Sequence, residues 1–332
     1  MKAKNKFAAL LQNYFCQYLI DQKRVSDRTV QSYRDTFCLL LKFAEKNNIN
    51  SPSKLCLSDF NADFIVKFLA YLESGRNNSI ITRNIRLAAI RSFFRYAEFH
   101  EPESLPEIQR VLSIPMKRHD HKLIGFLTKE EINAILDSVD KGTWSGRRDH
   151  ALLTTLYNTG ARVSEIISVK RCDIRLSDHF FILLHGKGRK ERSVPLWKST
   201  TVLLKKWLEE INPDPQTPLF PNQFGAAMTR SGVEDRIKIA VHNAIPICNS
   251  LSHKKISPHV IRHTTAMHLL QSGVDLTVIA LWLGHENITT THKYMEADLQ
   301  MKEKTLKALT DPNQKAKKRA LPDSLIKFLE GL

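Results

Sequence analysis

Residues 101–125 cannot continue a single helix, and this break constrains the fold more than any other feature. The segment holds Pro102, Pro106 and Pro115, followed by the basic run Lys117-Arg118-His119-Asp120-His121-Lys122. Proline removes a backbone donor and restricts the residue before it, so such a stretch reads as a linker between two separately folded parts. A length of 332 residues suits two domains. The expected division is residues 1–110, a linker at 111–126, a second domain at 127–310 and a basic tail at 311–332.

Before the break, the apolar spacing predicts helices. Ser26 is placed to cap one in which Val30, Tyr33, Phe37, Leu40, Leu41 and Ala44 share a face. Ser58 is placed to cap another, with Ile65, Phe68, Leu69 and Leu72 inward. A third, from about Ile80, puts Ile81, Ile85, Ala88, Ala89, Phe93 and Ala97 on its apolar side and Arg83, Arg86, Arg91 and Arg95 on the other. With an opening helix near 7–19, this makes a compact four-helix unit. The arginine face reads equally well as a solvated surface or as one that meets phosphate.

After the break, Thr128 followed by Glu131 forms a capping-box signature. Helices are expected at 148–157, 163–169, 200–210, 232–244, 259–271, 276–283 and 300–309. Strands are expected at 180–184 and 192–196, joined by the turn Gly186-Lys187-Gly188. The fold class is therefore mainly α with a small β-sheet. Near the end lie a basic patch at 315–319 and a short amphipathic stretch with Leu325, Ile326, Phe328 and Leu329. A segment that short gains stability by docking on something.

The formal net charge is +16. Six of these charges fall in residues 1–110, two in 111–126 and eight in the remainder, as expected if both domains face one polyanion. Nucleic acid leads, and an anionic membrane surface is the weaker reading. No stretch approaches the roughly 18 apolar residues of a spanning helix, and the N-terminus lacks the apolar core of a secretory signal. The five cysteines are odd in number and form no C-x-x-C pair, against a disulfide framework or a cysteine-based zinc site. A cytoplasmic, nucleoid-associated protein is expected.

Four motifs carry the chemistry. In Thr159-Gly160-Ala161-Arg162-Val163-Ser164-Glu165, a glycine ends one helix and Arg162 opens the next, presenting a bidentate donor beside a helix N-terminus. In Gly186-Lys187-Gly188-Arg189-Lys190, two glycines let a lysine-tipped turn approach a backbone closely; it is no P-loop, because no G-x-x-x-x-G-K-[ST] occurs. In Ser257-Pro258-His259-Val260-Ile261-Arg262-His263, His259 and Arg262 are three apart and project from one helical face, while His263 lies off it as a structural histidine. In Leu283-Gly284-His285-Glu286-Asn287, a glycine exposes His285 at a turn, and Tyr294 follows within a threonine-rich stretch. Thirteen histidines invite a metal, but no H-E-x-x-H, cysteine pair or carboxylate cluster completes a ligand set, so no cofactor is expected.

The segments TGARVSE, HGKGRKERSVPL, SPHVIRHTTAMHLL and LGHENITTTHKYM, in this order and at these separations, resemble the tyrosine recombinase (phage integrase) family. The likeness is strongest to Xer-like and transposon-borne members, and it covers nearly the whole chain. Ala161, where a larger apolar residue is common, and a longer basic tail are the departures. The resemblance implies an N-terminal core-binding (SAM-like) domain and an α+β catalytic domain. It implies that Tyr294 attacks a DNA phosphodiester, leaving a 3′-phosphotyrosyl link, and that Arg162 and Arg262 clamp the phosphate. Lys187 would protonate the leaving 5′-oxygen, His259 act on the tyrosine proton and His285 donate to the phosphate. Implied partners are double-stranded DNA, three further copies of the chain in a synaptic tetramer, with tail exchange between protomers, and an accessory DNA-bending or directionality protein. Arg83, Arg86, Arg91, Arg95, Lys117, Arg118, Arg189 and Lys190 are the expected DNA contacts. The charge and the helices alone also fit a DNA-binding regulator or architectural protein without strand cleavage, which would leave Tyr294 paired with His285 and the lysine-tipped hairpin unexplained, and a similar catalytic set serves type IB topoisomerases.

Overall fold

The structure is a computed structural model that describes residues 6–47, 55–119, 125–176, 179–186 and 190–284. Two compact units divide between His121 and Lys122.

In the first unit, α1 (Lys6–Asn13) runs into a π-helical stretch, Tyr14–Gln22, and is followed by α2 (Asp27–Lys46), α3 (Ala62–Ser74) and α4 (Ile80–His100). Local capping sets the helix starts: the Ser26 and Ser79 hydroxyls accept from the backbone N–H groups of Thr29 and Thr82. Ser58 lies within a short 3₁₀ turn, Leu57–Phe60, and the cap of α3 is instead Asn61, whose side chain accepts from the Phe64 N–H. The core is aromatic. Phe7 stacks on Phe60 with ring centroids 4.6 Å apart, and Tyr14 meets Phe93 edge-on at 5.3 Å.

Two expectations are corrected here. First, α4 is turned about its axis relative to the reading from sequence: Arg83 is buried, whereas Ile81 and Ile85 are each about half exposed. Apolar residues lie on several sides of α4, so periodicity alone does not select its inward face. The Arg83 guanidinium donates to the Pro115 carbonyl at 3.1 Å and faces the Glu73 carboxylate. Arg91 donates to the Ile114 carbonyl, and Arg86 to the Thr36 hydroxyl at 3.2 Å. Three of the four arginines expected to face phosphate thus bond within their own unit; Arg95 is exposed. Second, much of the expected linker is folded. A helix, α5 (Leu105–Ser113), follows α4 with Pro106 in its first turn, and Ile108, Val111 and Ile114 enter the core. Proline at that position starts a helix rather than breaking one. Chain as far as Lys117 is strapped down, because the Asn84 side chain exchanges two hydrogen bonds with the Lys117 backbone and Lys117 Nζ pairs with Glu73 at 2.9 Å. Arg118 is exposed.

The second unit begins with α6 (Lys129–Asp137). Thr128 Oγ1 accepts from the Glu131 N–H, and the Glu131 carboxylate accepts from the Thr128 N–H, so the capping box is present. Then come α7 (Trp144–Thr159), α8 (Val163–Ser168), strands β1 (Ile174–Arg175), β2 (Phe181–His185) and β3 (Glu191–Pro195), and helices α9 (Lys198–Glu209), α10 (Arg230–Ala244), α11 (Pro258–Gln271) and α12 (Leu276–Leu283). The sheet is antiparallel in the order β1-β2-β3, with Ile182 opposite Val194 and Leu184 opposite Arg192. Strand β1 has only two residues, too few for an alternation to show in sequence. Helix α7 lies against α9 and α11, and its buried Leu152, Leu153 and Leu156 form the middle of the larger core. No described helix is long and apolar enough to cross a membrane.

Candidate active site

Two helices of the second unit end in left-handed glycines, and the site is built around those ends. Gly160 closes α7 at φ +59°, and Gly284 closes α12 at φ +65°. At each terminus the last carbonyls lack helical partners and carry partial negative charge, which suits a cation. Arginines occupy both. Arg262, buried on α11, donates from Nη1 to the Gly160 carbonyl and from Nη2 to the Leu283 carbonyl, each at 2.7 Å. Arg162, at the start of α8, donates from Nη2 to the Gly284 carbonyl at 3.0 Å.

Glu165 joins these parts. It is 2% exposed, accepts from Arg162 Nη1 at 2.7 Å, and receives a two-pronged pair from Arg192 of β3 at 2.9 and 2.8 Å. Its carboxylate also accepts from the Arg162 N–H. Burial by itself would raise its pKa; the hydrogen bonds and charge of Arg192, joined by those of Arg162, prevail and hold it at about 2. The arginine clamp therefore stands over a permanently ionised acid.

His259 is exposed on α11, three residues before Arg262. Partial desolvation where the exposed ring leans on the protein, and then the positive charges of Arg262, Arg230 and Arg162, depress its pKa, which favours a neutral imidazole able to accept a proton. His263 stands behind it, with ring centroids 6.4 Å apart. Burial, then the charges of His259 and Arg262, push His263 down to about 4, so it is neutral at physiological pH, as a structural histidine would be.

His263 and Glu165 together give a pH prediction with a definite sign. Both folded-state values lie below the unfolded ones, so the unfolded chain takes up protons first and stability falls as pH falls. The His263 contribution is complete above about 6.5 and is lost on acidification towards 4; that of Glu165 is complete above about 4.5 and is lost towards 2. Each shift corresponds to about 3 kcal/mol by linkage. Denaturant melts at pH 7.5 and pH 5 should therefore differ in the unchanged protein, and His263→Asn should flatten that difference. An unchanged pH dependence in His263→Asn would refute the assignment.

Of the sequence-predicted site residues, Arg162, Arg262 and His259 come together here. Lys187, Arg189, His285 and Tyr294 lie outside the described residues, as do the expected helix at 300–309 and the tail features. Lys190 is exposed beside the β2–β3 turn, and its carbonyl accepts from the Gly186 N–H at 2.7 Å. Two residues escaped the sequence reading. Arg192 lies two positions from buried Val194, and strand alternation puts both on one face, a signal that was available. Arg230, at the start of α10, has no comparable local mark.

Residues 125–301 match the sequence pattern of the phage integrase family, and residues 13–100 match that of its N-terminal SAM-like domain. The chain belongs to the phage integrase family. It is a tyrosine recombinase, an enzyme of site-specific recombination. Among its relatives, the y4rC protein of Sinorhizobium fredii, which carries an integrase/recombinase name, is 46% identical over 98% of each chain. The tyrosine recombinase XerD of Listeria monocytogenes is 34% identical over 84% of this chain and 91% of its own. Among solved structures, the XerH site-specific recombinase in its post-cleavage complex with a palindromic difH substrate superposes with a TM-score of 0.70 at 25% identity. The match covers 83% of this chain and 78% of that one.

Proposed function

We propose that this recombinase cuts and rejoins duplex DNA through a 3′-phosphotyrosyl intermediate on Tyr294. The observation that carries the reading is the convergence of Arg162 and Arg262 on the carbonyl ends of two helices, with His259 beside them. The Tyr294 oxygen attacks phosphorus as the 5′-oxygen leaves, and His259 takes the tyrosine proton while Lys187 supplies one to the leaving oxygen. Arg162 and Arg262 stabilise the charge that builds on the non-bridging oxygens, and His285 adds a hydrogen bond there. One phosphodiester is exchanged for one phosphotyrosyl ester, so the backbone is resealed by the reverse step without an energy source. The core-binding domain is the first unit, residues 1–121 with α5 inside it, and the catalytic domain begins with the second unit at residue 122, followed by the tail at 311–332.

The partner is double-stranded DNA, with four protomers in the synaptic complex, tail helices exchanged between them and an accessory DNA-bending or directionality protein. The setting is the cytoplasm, and the task is integration or excision of a mobile element or Xer-like resolution. Nicked duplexes from the flanks of the encoding locus, incubated with the protein without added metal, should give a slow, protease-sensitive band on a denaturing gel. Tyr294→Phe should bind the same duplexes and give no such band. An adduct from Tyr294→Phe would overturn the assignment.

Arg95 is the arginine of α4 best placed to reach phosphate, since Arg83, Arg86 and Arg91 are engaged within the unit. Arg95→Ala should lower the slope of log affinity against log salt by about 0.9, the value for one lost contact on a duplex. Arg83→Ala should leave that slope alone and lower the melting temperature. Equal slopes for Arg95→Ala and the unchanged protein would remove Arg95 from the interface.

A further inference from the structure

Arg192 is unusual in how completely its guanidinium is used. Nη1 and Nη2 donate to the two oxygens of Glu165, and Nε donates to the Trp282 carbonyl at 2.9 Å. All three of its guanidinium nitrogens donate within the protein, to Glu165 and to the Trp282 carbonyl, so it is a poor candidate for touching substrate. It nevertheless reaches three parts of the site. It stands on β3, the outgoing strand of the hairpin whose turn contains Lys187 in sequence. Through Glu165 it shares an acceptor with Arg162. Through Trp282 it grips the last turn of α12, next to the Gly284 carbonyl on which Arg162 rests. Gly284 leaves room for this: a Cβ there would lie 2.9 Å from Arg192 Nη1. A buried ion pair of this kind adds little net stability over well-packed apolar residues, so its geometric role is the more informative one.

We infer that Arg192 is a positioning residue of the strand-cleaving site, holding Arg162 and the end of α12 in register through Glu165 and the Trp282 carbonyl. Arg162 donates to the same carboxylate and to the next residue but one after Trp282, so a shift of Arg192 displaces both of its supports together. Arg192 thereby links the hairpin strand to the phosphate clamp without itself meeting DNA. The inference rests on the recombinase reading of the site.

The test is single-turnover adduct formation on a nicked duplex that the unchanged protein cleaves, with DNA affinity and melting temperature measured alongside. Arg192→Lys keeps a positive charge against Glu165 but loses the fork that grips both oxygens and the carbonyl. It should fold and bind DNA as before, and form adduct about 10- to 100-fold more slowly, as expected for a misplaced catalytic group. Combining it with Arg162→Lys should slow the reaction little beyond Arg162→Lys alone, because Arg192 acts through Arg162. A purely structural role would make the two effects multiply, which would overturn the inference. So would an unchanged rate in Arg192→Lys, or loss of the fold in both Arg192→Lys and Arg192→Gln, which would assign the residue to stability alone. Absence of adduct from the unchanged protein would instead overturn the recombinase reading itself, and the inference with it.

Discussion

Arg162→Lys is expected to leave the fold and DNA affinity close to those of the unchanged protein and to slow adduct formation by about 10²–10³. Arg162 is the more exposed arginine of the pair, with its side chain 35% accessible, so it can meet a phosphate while anchored at its base. Lysine keeps the charge but cannot donate to Glu165, the Gly284 carbonyl and a phosphate oxygen from one planar group. The fold should survive because Glu165 retains both bonds from Arg192. The contrast with Arg262 is instructive: that side chain is buried, and its two terminal nitrogens bond the ends of α7 and α12, so its loss should cost stability as well as rate. Single-turnover kinetics with thermal melts separate the two. A fall in affinity that accounts for the whole rate loss in Arg162→Lys would contradict a role in the chemical step.

Gly160→Ala should be strongly damaging, because it strains the helix end on which the arginine clamp rests. At φ +59° an alanine carries the left-handed penalty of about 1–2 kcal/mol. Its Cβ would also stand 2.5 Å from Leu283 Cδ2 and 3.4 Å from Thr265, in a fully packed region. Overpacking of that kind costs about 1–3 kcal/mol more. Together these predict a fall in melting temperature of roughly 5–15 °C for a unit of this size. The displaced neighbours matter as much as the strain, since the Gly160 and Leu283 carbonyls are the acceptors of Arg262. Gly273→Ala is the control: φ is +86° there, but nothing lies within 4 Å of the added carbon, so only the backbone penalty applies. Equal losses in the two variants would show that the Leu283 contact is not tight.

Features written in local sequence were legible. Ser26 and Thr128 cap the helices they were expected to cap, because a cap needs only a hydroxyl and an N–H three residues on, whereas Asn61 takes the place expected of Ser58. The ends of α7 and α12 were legible from Gly160 and Gly284 for the same reason. Arg162, His259 and Arg262 were recognisable through four short motifs in a fixed order. What failed was non-local. Pro106 reads as a breaker until Ile108 and Val111 are seen packed in the core. Arg83 reads as surface until Pro115 and Glu73 are seen to receive it. The Glu165–Arg192 pair joins residues distant in sequence, and the alternation of β3 gave Arg192 an inward face but no partner.

The central claim is that Tyr294 becomes covalently joined to a DNA 3′-phosphate, and peptide mapping of the trapped adduct tests it most directly. Protease and nuclease digestion of the complex, followed by mass spectrometry, should place a nucleotide 3′-phosphate on the peptide that begins at Tyr294, since Lys293 precedes it. The downstream fragment released from the same strand should carry a free 5′-hydroxyl. A nucleotide on any other residue, a 5′-phosphate linkage, or bound DNA recovered without any covalent peptide from duplexes carrying the protein's own site would contradict the account.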